Sequence, residues 1–309
     1  MNPFIRVIPP AVVRFFAGPY VAGDSLAGAM DVAADLVARD GFLTTLDLLA
    51  EGIDTQDVVD AIVETYLEMT DAVASDARFT NPAGKPTISL KPSSYTTSPL
   101  DKGGDAFGSL EAIRRICRHA KDRGVGVTID MEDRHWTDFT LDCLDTLHDE
   151  GFDNIGAVIQ SRLHRSTDDI TRLPPGIRVR VVIGIYHEPS DMATQNKQEM
   201  KERLLALADQ LLERGHYVEF ATHDEVYIRR FLDEVIKKRG IASDRFEIQM
   251  LYGVPRQTLL RSLVASGFRV RLYVPFAKGW PMAIAYLRRR LDEYPAMAFL
   301  VLRNTLKRG

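Results

Sequence analysis

The chain has 309 residues and 34.7 kDa, above the usual single-domain size yet within the range of one large α/β barrel. Hydrophobic residues at 45% and charged residues at 27% exclude a disordered or fibrous chain. Against 43 Asp and Glu stand 39 Lys and Arg, a formal charge of −4, so no nucleic-acid footprint is expected. The two cysteines, Cys117 and Cys143, are too few for a disulfide framework or a Cys-rich metal site, and no metal is expected. The apolar run Met297 to Leu302 is far short of the ~20 residues a membrane span needs. Arg6, Pro9, Pro10 and Arg14 interrupt the apolar patches of the first 18 residues, so no secretory signal is read there. The expectation is a soluble, reduced, intracellular protein.

In chain order, Asp24 ahead of Ser25–Arg39 reads as a capped helix, which makes residues 1–40 an N-terminal helical segment and 41–309 the main unit. Eight short β-branched or apolar runs then follow: Phe42–Asp47, Thr87–Lys91, Val125–Asp130, Ile155–Gln160, Arg178–Ile183, Tyr217–Ala221, Phe246–Met250 and Arg269–Val274. Between them, apolar residues at three- and four-residue spacing predict helices over Leu110–Arg123, Thr137–Glu150, Lys197–Arg214, Glu225–Arg239 and Arg256–Ser266. Gly124, Gly151, Gly215, Gly240 and Gly267 sit where left-handed helix stops belong. Phe79–Lys85 and Pro92–Gly108, rich in Pro, Ser, Thr and Gly, read as loops. Eight alternating strands and helices predict a (β/α)₈ TIM-like barrel. The competing fold, an open doubly wound sheet, would carry a Gly-rich first turn, and no G-x-G-x-x-G follows a strand here.

Barrel chemistry gathers at the C-terminal strand ends, and here those ends are polar. The second run ends in Lys91, the third in Asp130 and the fourth in Gln160; the fifth carries Arg180, the sixth runs into Thr222-His223-Asp224, and the eighth holds Tyr273. Such a rim suits a polar, partly anionic ligand. Each residue has a plainer reading. Lys91 before Pro92 fits a solvated loop start, Asp130 a helix cap, Gln160 a strand end and His223 a cap neighbour. Arg180 is the exception, because a charge inside an apolar strand must be paired or bind something. Near the end, Tyr286, Arg289, Arg290 and Glu293 fall on one helix face, where adjacent arginines can grip a carboxylate with two forks. An exposed Arg289–Glu293 pair, worth tenths of a kcal/mol, is the alternative.

Tyr286-Leu-Arg-Arg-Arg290-Leu-Asp-Glu293 resembles the Y-L-x-R-R-x-x-E helix of proline dehydrogenases, including the flavin domain of bifunctional proline utilisation proteins. Further segments agree in order: Phe16-Ala-Gly18, Ser89-Leu-Lys91, Ile129-Asp-Met-Glu132, Val158-Ile-Gln160, Phe220-Ala-Thr-His223, Gln249-Met-Leu-Tyr-Gly253 and Arg271-Leu-Tyr-Val-Pro275. The resemblance covers nearly the whole chain, as in the short, monofunctional bacterial form. It implies an FAD-bound barrel, with its final helix over the mouth, that oxidises L-proline to 1-pyrroline-5-carboxylate and passes electrons to a quinone.

By that resemblance Arg289 and Arg290 would hold the proline carboxylate, with Lys91 and Asp130 beside the substrate and Tyr273 walling off its ring. Arg180 would face the flavin N5 edge, and Asp130 and Arg180 would be the catalytic pair. Met131, Gln160, the Ile183-Gly184-Ile185 backbone, Thr222 and His223 would contact FAD, and Glu293 would help hold the cofactor or the helix. A cytoplasmic protein in peripheral contact with membrane quinone is implied, with a pyrroline-5-carboxylate dehydrogenase acting downstream. The chain departs from the family where Ile183-Gly184-Ile185-Tyr186 replaces Lys-Gly-Ala-Tyr. Lys91 is also followed by Pro92, and Glu293 by Tyr294-Pro295, where the family usually carries Asn. Two rivals remain at this stage: a barrel lyase forming a Schiff base on Lys91, and a non-catalytic carboxylate-binding protein.

Overall fold

A computed structural model describes residues 18–50, 53–81 and 84–279, together with Pro9, Ile284 and Arg288. Eight parallel strands close into a barrel in sequence order, β8 pairing back onto β1. They are β1 (Leu43–Leu48), β2 (Thr87–Leu90), β3 (Val127–Ile129), β4 (Ile155–Gln160), β5 (Arg178–Val182), β6 (Tyr217–Ala221), β7 (Phe246–Leu251) and β8 (Val270–Phe276). Each coincides with an expected run to within about two residues at either end, the usual margin for strand boundaries.

The outer layer comprises α1 (Leu26–Asp40), α2 (Gln56–Ser75), α3 (Ser109–Lys121), α4 (Arg134–Asp149), α5 (Ser166–Arg172), α6 (Lys197–Glu213), α7 (Glu225–Arg230) and α8 (Gln257–Ala265). α3 shows why these segments are helical. Ile113, Ile116, Cys117 and Ala120 form one buried stripe, while Glu111, Arg115 and Arg118 face water. Burying each large aliphatic contributes about 1.5–3 kcal/mol. Gly124, at φ 65°, then turns the chain back toward β3.

α1 packs against β1 and β8 and so fills the outer ring between the first and last strands. Its lead-in is bonded to the end of β8, Ala22 N donating to Pro275 O at 2.8 Å and Ala277 N to Gly23 O at 3.1 Å. The cap differs from expectation: Ser25, not Asp24, accepts from the backbone, Oγ lying 3.2 Å from Gly28 N. The helix expected over Glu225–Arg239 is also divided. After α7 the chain widens into a π-helical stretch, Phe231–Lys237, whose Phe231 ring stacks on Phe220 of β6 with centroids 4.2 Å apart. The loop expected over 92–108 contains two 3₁₀ turns, Pro92–Tyr95 and Leu100–Lys102.

The apolar core lies between the strands and the helices. The lumen is polar, unlike the layers of branched aliphatics that usually fill such barrels. Alternate residues of the strands project into it. Near the strand starts, Arg271 pairs with Glu247 and Arg178 with Glu219, while Tyr217 OH donates to Glu247 Oε2 at 3.0 Å. Thr45 and Thr87 share a 2.8 Å hydrogen bond between β1 and β2. This lower layer supports the groups at the mouth.

Candidate active site

The next layer of the lumen converges on one carboxylate. Asp130 follows β3, its backbone N–H bonded to Leu90 O at 2.8 Å. Its Oδ1 accepts from Arg180 Nη1 at 2.7 Å and from Ser89 Oγ at 2.8 Å, and its Oδ2 accepts from Tyr273 OH at 2.9 Å. Lys91 Nζ stands 3.6 Å from Oδ2 and donates to Asp47 Oδ1 at 2.6 Å. Residues from β1, β2, β3, β5 and β8 thus meet around one small volume. Of the residues singled out in the sequence, Lys91, Asp130, Arg180 and Tyr273 are brought into this cluster.

Arg180 is 5% exposed and held from behind. Nε donates to Gln249 Oε1 at 2.8 Å, and the guanidinium lies 4.9 Å from the centre of the Tyr273 ring. Gln249 in turn donates from Nε2 to Glu219 Oε2 and Glu247 Oε1, both at 2.6 Å. The fork is therefore fixed on two sides, and its Nη2 is buried with no partner among the described residues. An aimed, unpaired donor of this kind marks a place for a ligand acceptor.

Burial alone would lower the Lys91 pKa, but Asp47, Tyr273 and Asp130 outweigh it and hold the ammonium well above the ordinary lysine value. Burial, reinforced by Asp130 and Asp47, pushes the Tyr273 phenol well up, so it remains a neutral donor. Glu132 lies just beyond Asp130, its oxygens accepting from Ser93 N at 2.8 Å and Ser93 Oγ at 2.6 Å. Burial raises its pKa to about 7 despite those donors.

On the β4–β6 side, Gln160 Nε2 donates to Glu132 O at 2.7 Å, and its Oε1 is buried without a partner among the described residues. Gly184 follows β5 at φ 96°, and a Cβ there would come within 2.2 Å of Gln160 Oε1. Ile183 and Ile185 flank that glycine, half-buried, and Met131 is buried beside Asp130. Thr222 is buried after β6 and bonded through its N–H to Gln249 O at 3.2 Å, whereas His223 stands exposed on the rim. The cap of α7 is Asp224, which accepts from Val226 N at 3.0 Å. Tyr286, Arg289, Arg290 and Glu293 lie outside the described residues.

Sequence reasoning missed Asp47, Ser89, Glu219 and Gln249. Their signal was the one that exposed Arg180, a polar residue inside an otherwise apolar strand and in step with the lumen face. Asp47 ended its run as Asp130 did. Cys117 and Cys143 are buried on helices facing the core, free thiols away from the mouth.

A family profile described as "Proline dehydrogenase" matches residues 31–300. The chain is 37% identical over 296 residues to the proline dehydrogenase of Deinococcus radiodurans, covering 93% of this chain and 89% of that one. It is 32% identical over 298 residues to proline dehydrogenase 1 of Bacillus subtilis strain 168, covering 96% and 92%. Among solved structures, proline utilization A (PutA) of Bdellovibrio bacteriovorus, inactivated by N-propargylglycine, superposes with a TM-score of 0.80 at 23% identity over 92% of this chain. This chain spans a third of that structure's length, and the likeness there is one of fold. With matches across nearly its full length and a closed eight-stranded barrel, the chain belongs to the proline dehydrogenase family of oxidoreductases.

Proposed function

We propose that the enzyme oxidises L-proline to 1-pyrroline-5-carboxylate with FAD and passes the two electrons to a quinone. The observation that carries this reading is the Arg180–Asp130 pair, anchored from Gln249 and Ser89, with Arg180 Nη2 and Gln160 Oε1 buried and unpaired at the mouth of a proline dehydrogenase barrel. Those two orphans are a donor and an acceptor, the complement of the mixed acceptor–donor edge of a flavin ring. The missing Cβ at Gly184 leaves room for the Gln160 amide. These residues fit the cofactor. When bound, FAD supplies the hydride acceptor that no side chain can provide.

The chain's own groups bind and orient. Arg289 and Arg290 grip the carboxylate, converting binding into alignment of the C5–H bond. Lys91, fixed by Asp47, and Asp130, fixed by Arg180 and Tyr273, set the charge around the amine, while Tyr273 packs beside the ring. Met131, Gln160, the Ile183-Gly184-Ile185 turn, Thr222, His223 and Glu293 hold the cofactor. The 1-pyrroline-5-carboxylate product calls for a downstream pyrroline-5-carboxylate dehydrogenase. Among the described residues no helix is long and apolar enough to cross a membrane. The proposed delivery of electrons to a membrane quinone is a peripheral encounter from the cytoplasm. A Schiff base on Lys91 is disfavoured, since it needs a neutral amine and Asp47 keeps this one charged.

The test is a visible absorption spectrum before and after anaerobic addition of L-proline. The expected protein is yellow and bleaches with proline. A colourless protein that takes up no added FAD would refute the reading. With Arg289→Met or Arg290→Met, the proline concentration for half-bleaching should rise on the order of 10- to 100-fold, as for a lost charge-assisted hydrogen bond. Unchanged titration by the double variant would remove the carboxylate clamp.

A further inference from the structure

Arg162 lies in the turn that follows β4, two residues past Gln160. Its backbone is fixed, N–H donating to Ile183 O at 3.1 Å and C=O accepting from Thr194 N at 2.9 Å. Its side chain is not: among the described residues, Nε and Nη1 are buried and make no hydrogen bond. A guanidinium cannot shed its charge to escape that cost. Two buried, unmet donors are destabilising unless the working molecule supplies an acceptor.

The surroundings narrow what that acceptor is. A Cβ on Gly184 would come within 3.1 Å of Arg162 Cδ and 2.2 Å of Gln160 Oε1, so the two side chains converge over one glycine. Gln160 Oε1 is itself unpaired, and the two do not satisfy each other. Among the described residues, the carboxylates of this region are engaged elsewhere: Asp130 with Arg180, Glu132 with Ser93 and Glu188 with Arg134. Ile183 and Ile185 bring no polar side chain. With Arg180 Nη2 on β5, the described residues present unmet donors from Arg162 beyond β4 and from β5, and one unmet acceptor from Gln160. The pyrimidine edge of a flavin offers the complementary set, two carbonyl oxygens flanking one N–H.

We infer that Arg162 is a flavin-binding residue whose Nε and Nη1 donate to a carbonyl oxygen of the cofactor's pyrimidine edge. The inference rests on the flavin reading above. A cation at that edge also favours the negative charge gained on two-electron reduction, so it raises the midpoint potential.

The test uses the flavin-free full-length chain titrated with FAD and with riboflavin, comparing wild type with Arg162→Met and Arg162→Lys. Met keeps the stem that packs over Gly184 and removes the donors. Arg162→Met should weaken both ligands by the same factor, on the order of 10- to 100-fold, with Lys recovering part of it. The midpoint potential of the loaded Met variant should fall. Without ligand, Arg162→Met should melt at the wild-type temperature or above it, because a buried unpaired charge has been removed. A structural role predicts a lower melting temperature for the empty variant instead, and that result would overturn the inference. Unchanged affinity with unchanged potential would also overturn it while leaving the flavin reading intact. Weakening for FAD alone would reassign Arg162 to the phosphates and refute the ring contact. Failure of the wild type to bind either ligand would bring down both readings.

Discussion

Lys91 Nζ lies 2.6 Å from Asp47 Oδ1, and the aspartate side chain is 1% exposed, so neither charge is strongly screened by water. Breaking such a buried pair by removing one partner costs about 3–5 kcal/mol, because the survivor stays buried and uncompensated. Asp47→Ala should destabilise by that order, with only Asp130 at 3.6 Å left to answer Lys91. Lys91→Met alone should cost at least as much, since the survivor is then Asp47, whose side chain is 1% exposed against 23% for Lys91. The double variant should recover much of the loss, giving a coupling free energy of about 2 kcal/mol or more by urea unfolding. Strict additivity would show that the pair does not act as a unit. At this scale the sequence was half legible. Lys91 and Asp130 stood out as polar endings of apolar runs, and Arg180 as a charge within one. Asp47, Glu219 and Gln249 carried the same mark but were passed over, because a lumen-facing polar residue between apolar neighbours looks the same in sequence as a solvent-facing one. Only the closing of the ring shows which face turns inward.

The elements themselves were easier to read, since each strand run is bounded by turn residues and each long helix has one apolar stripe. The stops at Gly124, Gly151, Gly215, Gly240 and Gly267 all adopt positive φ as their positions require. The π-helical stretch after α7 was not legible, because its buried residues keep helical spacing and only the hydrogen-bond pattern differs. Ser25 displaced Asp24 as a cap because both are good cap residues and one residue decides which oxygen reaches Gly28 N. Gly184 tests how far an element end is shaped for the site. Gly184→Ala must adopt φ 96° and place a methyl 2.2 Å from Gln160 Oε1, forcing that amide to shift. Gly176→Ala, at φ 71° with nothing within 4 Å, bears the backbone strain alone. Strain at such a position costs about 1–3 kcal/mol, and overpacking adds a similar amount. Urea unfolding should therefore find Gly184→Ala the more destabilised of the two, and equal losses would mean that the Gln160 amide moves freely.

Across the whole molecule, a barrel filled with ionised and hydrogen-bonded groups makes stability depend on pH, and the groups differ in sign. Arg271 and then Arg178 overcome burial to hold Glu247 down at about 2, so its contribution is present above the ordinary carboxylate range and is lost only in strong acid. Glu132 runs the other way. Burial raises it to about 7, against the opposing pull of the Ser93 donors and of Lys91, while Asp130 adds to the rise. The folded protein thus keeps a proton that the unfolded chain has released. Its contribution is full below about pH 4.5 and is lost as pH rises through about 7, a change of about 3 kcal/mol at most. Glu132→Gln is neutral at every pH and retains an oxygen that can accept from Ser93 N. Between about pH 4.5 and 7 the wild type should therefore lose urea resistance more steeply than Glu132→Gln, the two curves separating across that window and keeping a constant gap above it. Parallel curves would show that Glu132 ionises normally in the fold, with Ser93 and Lys91 repaying the whole cost of burying its charge.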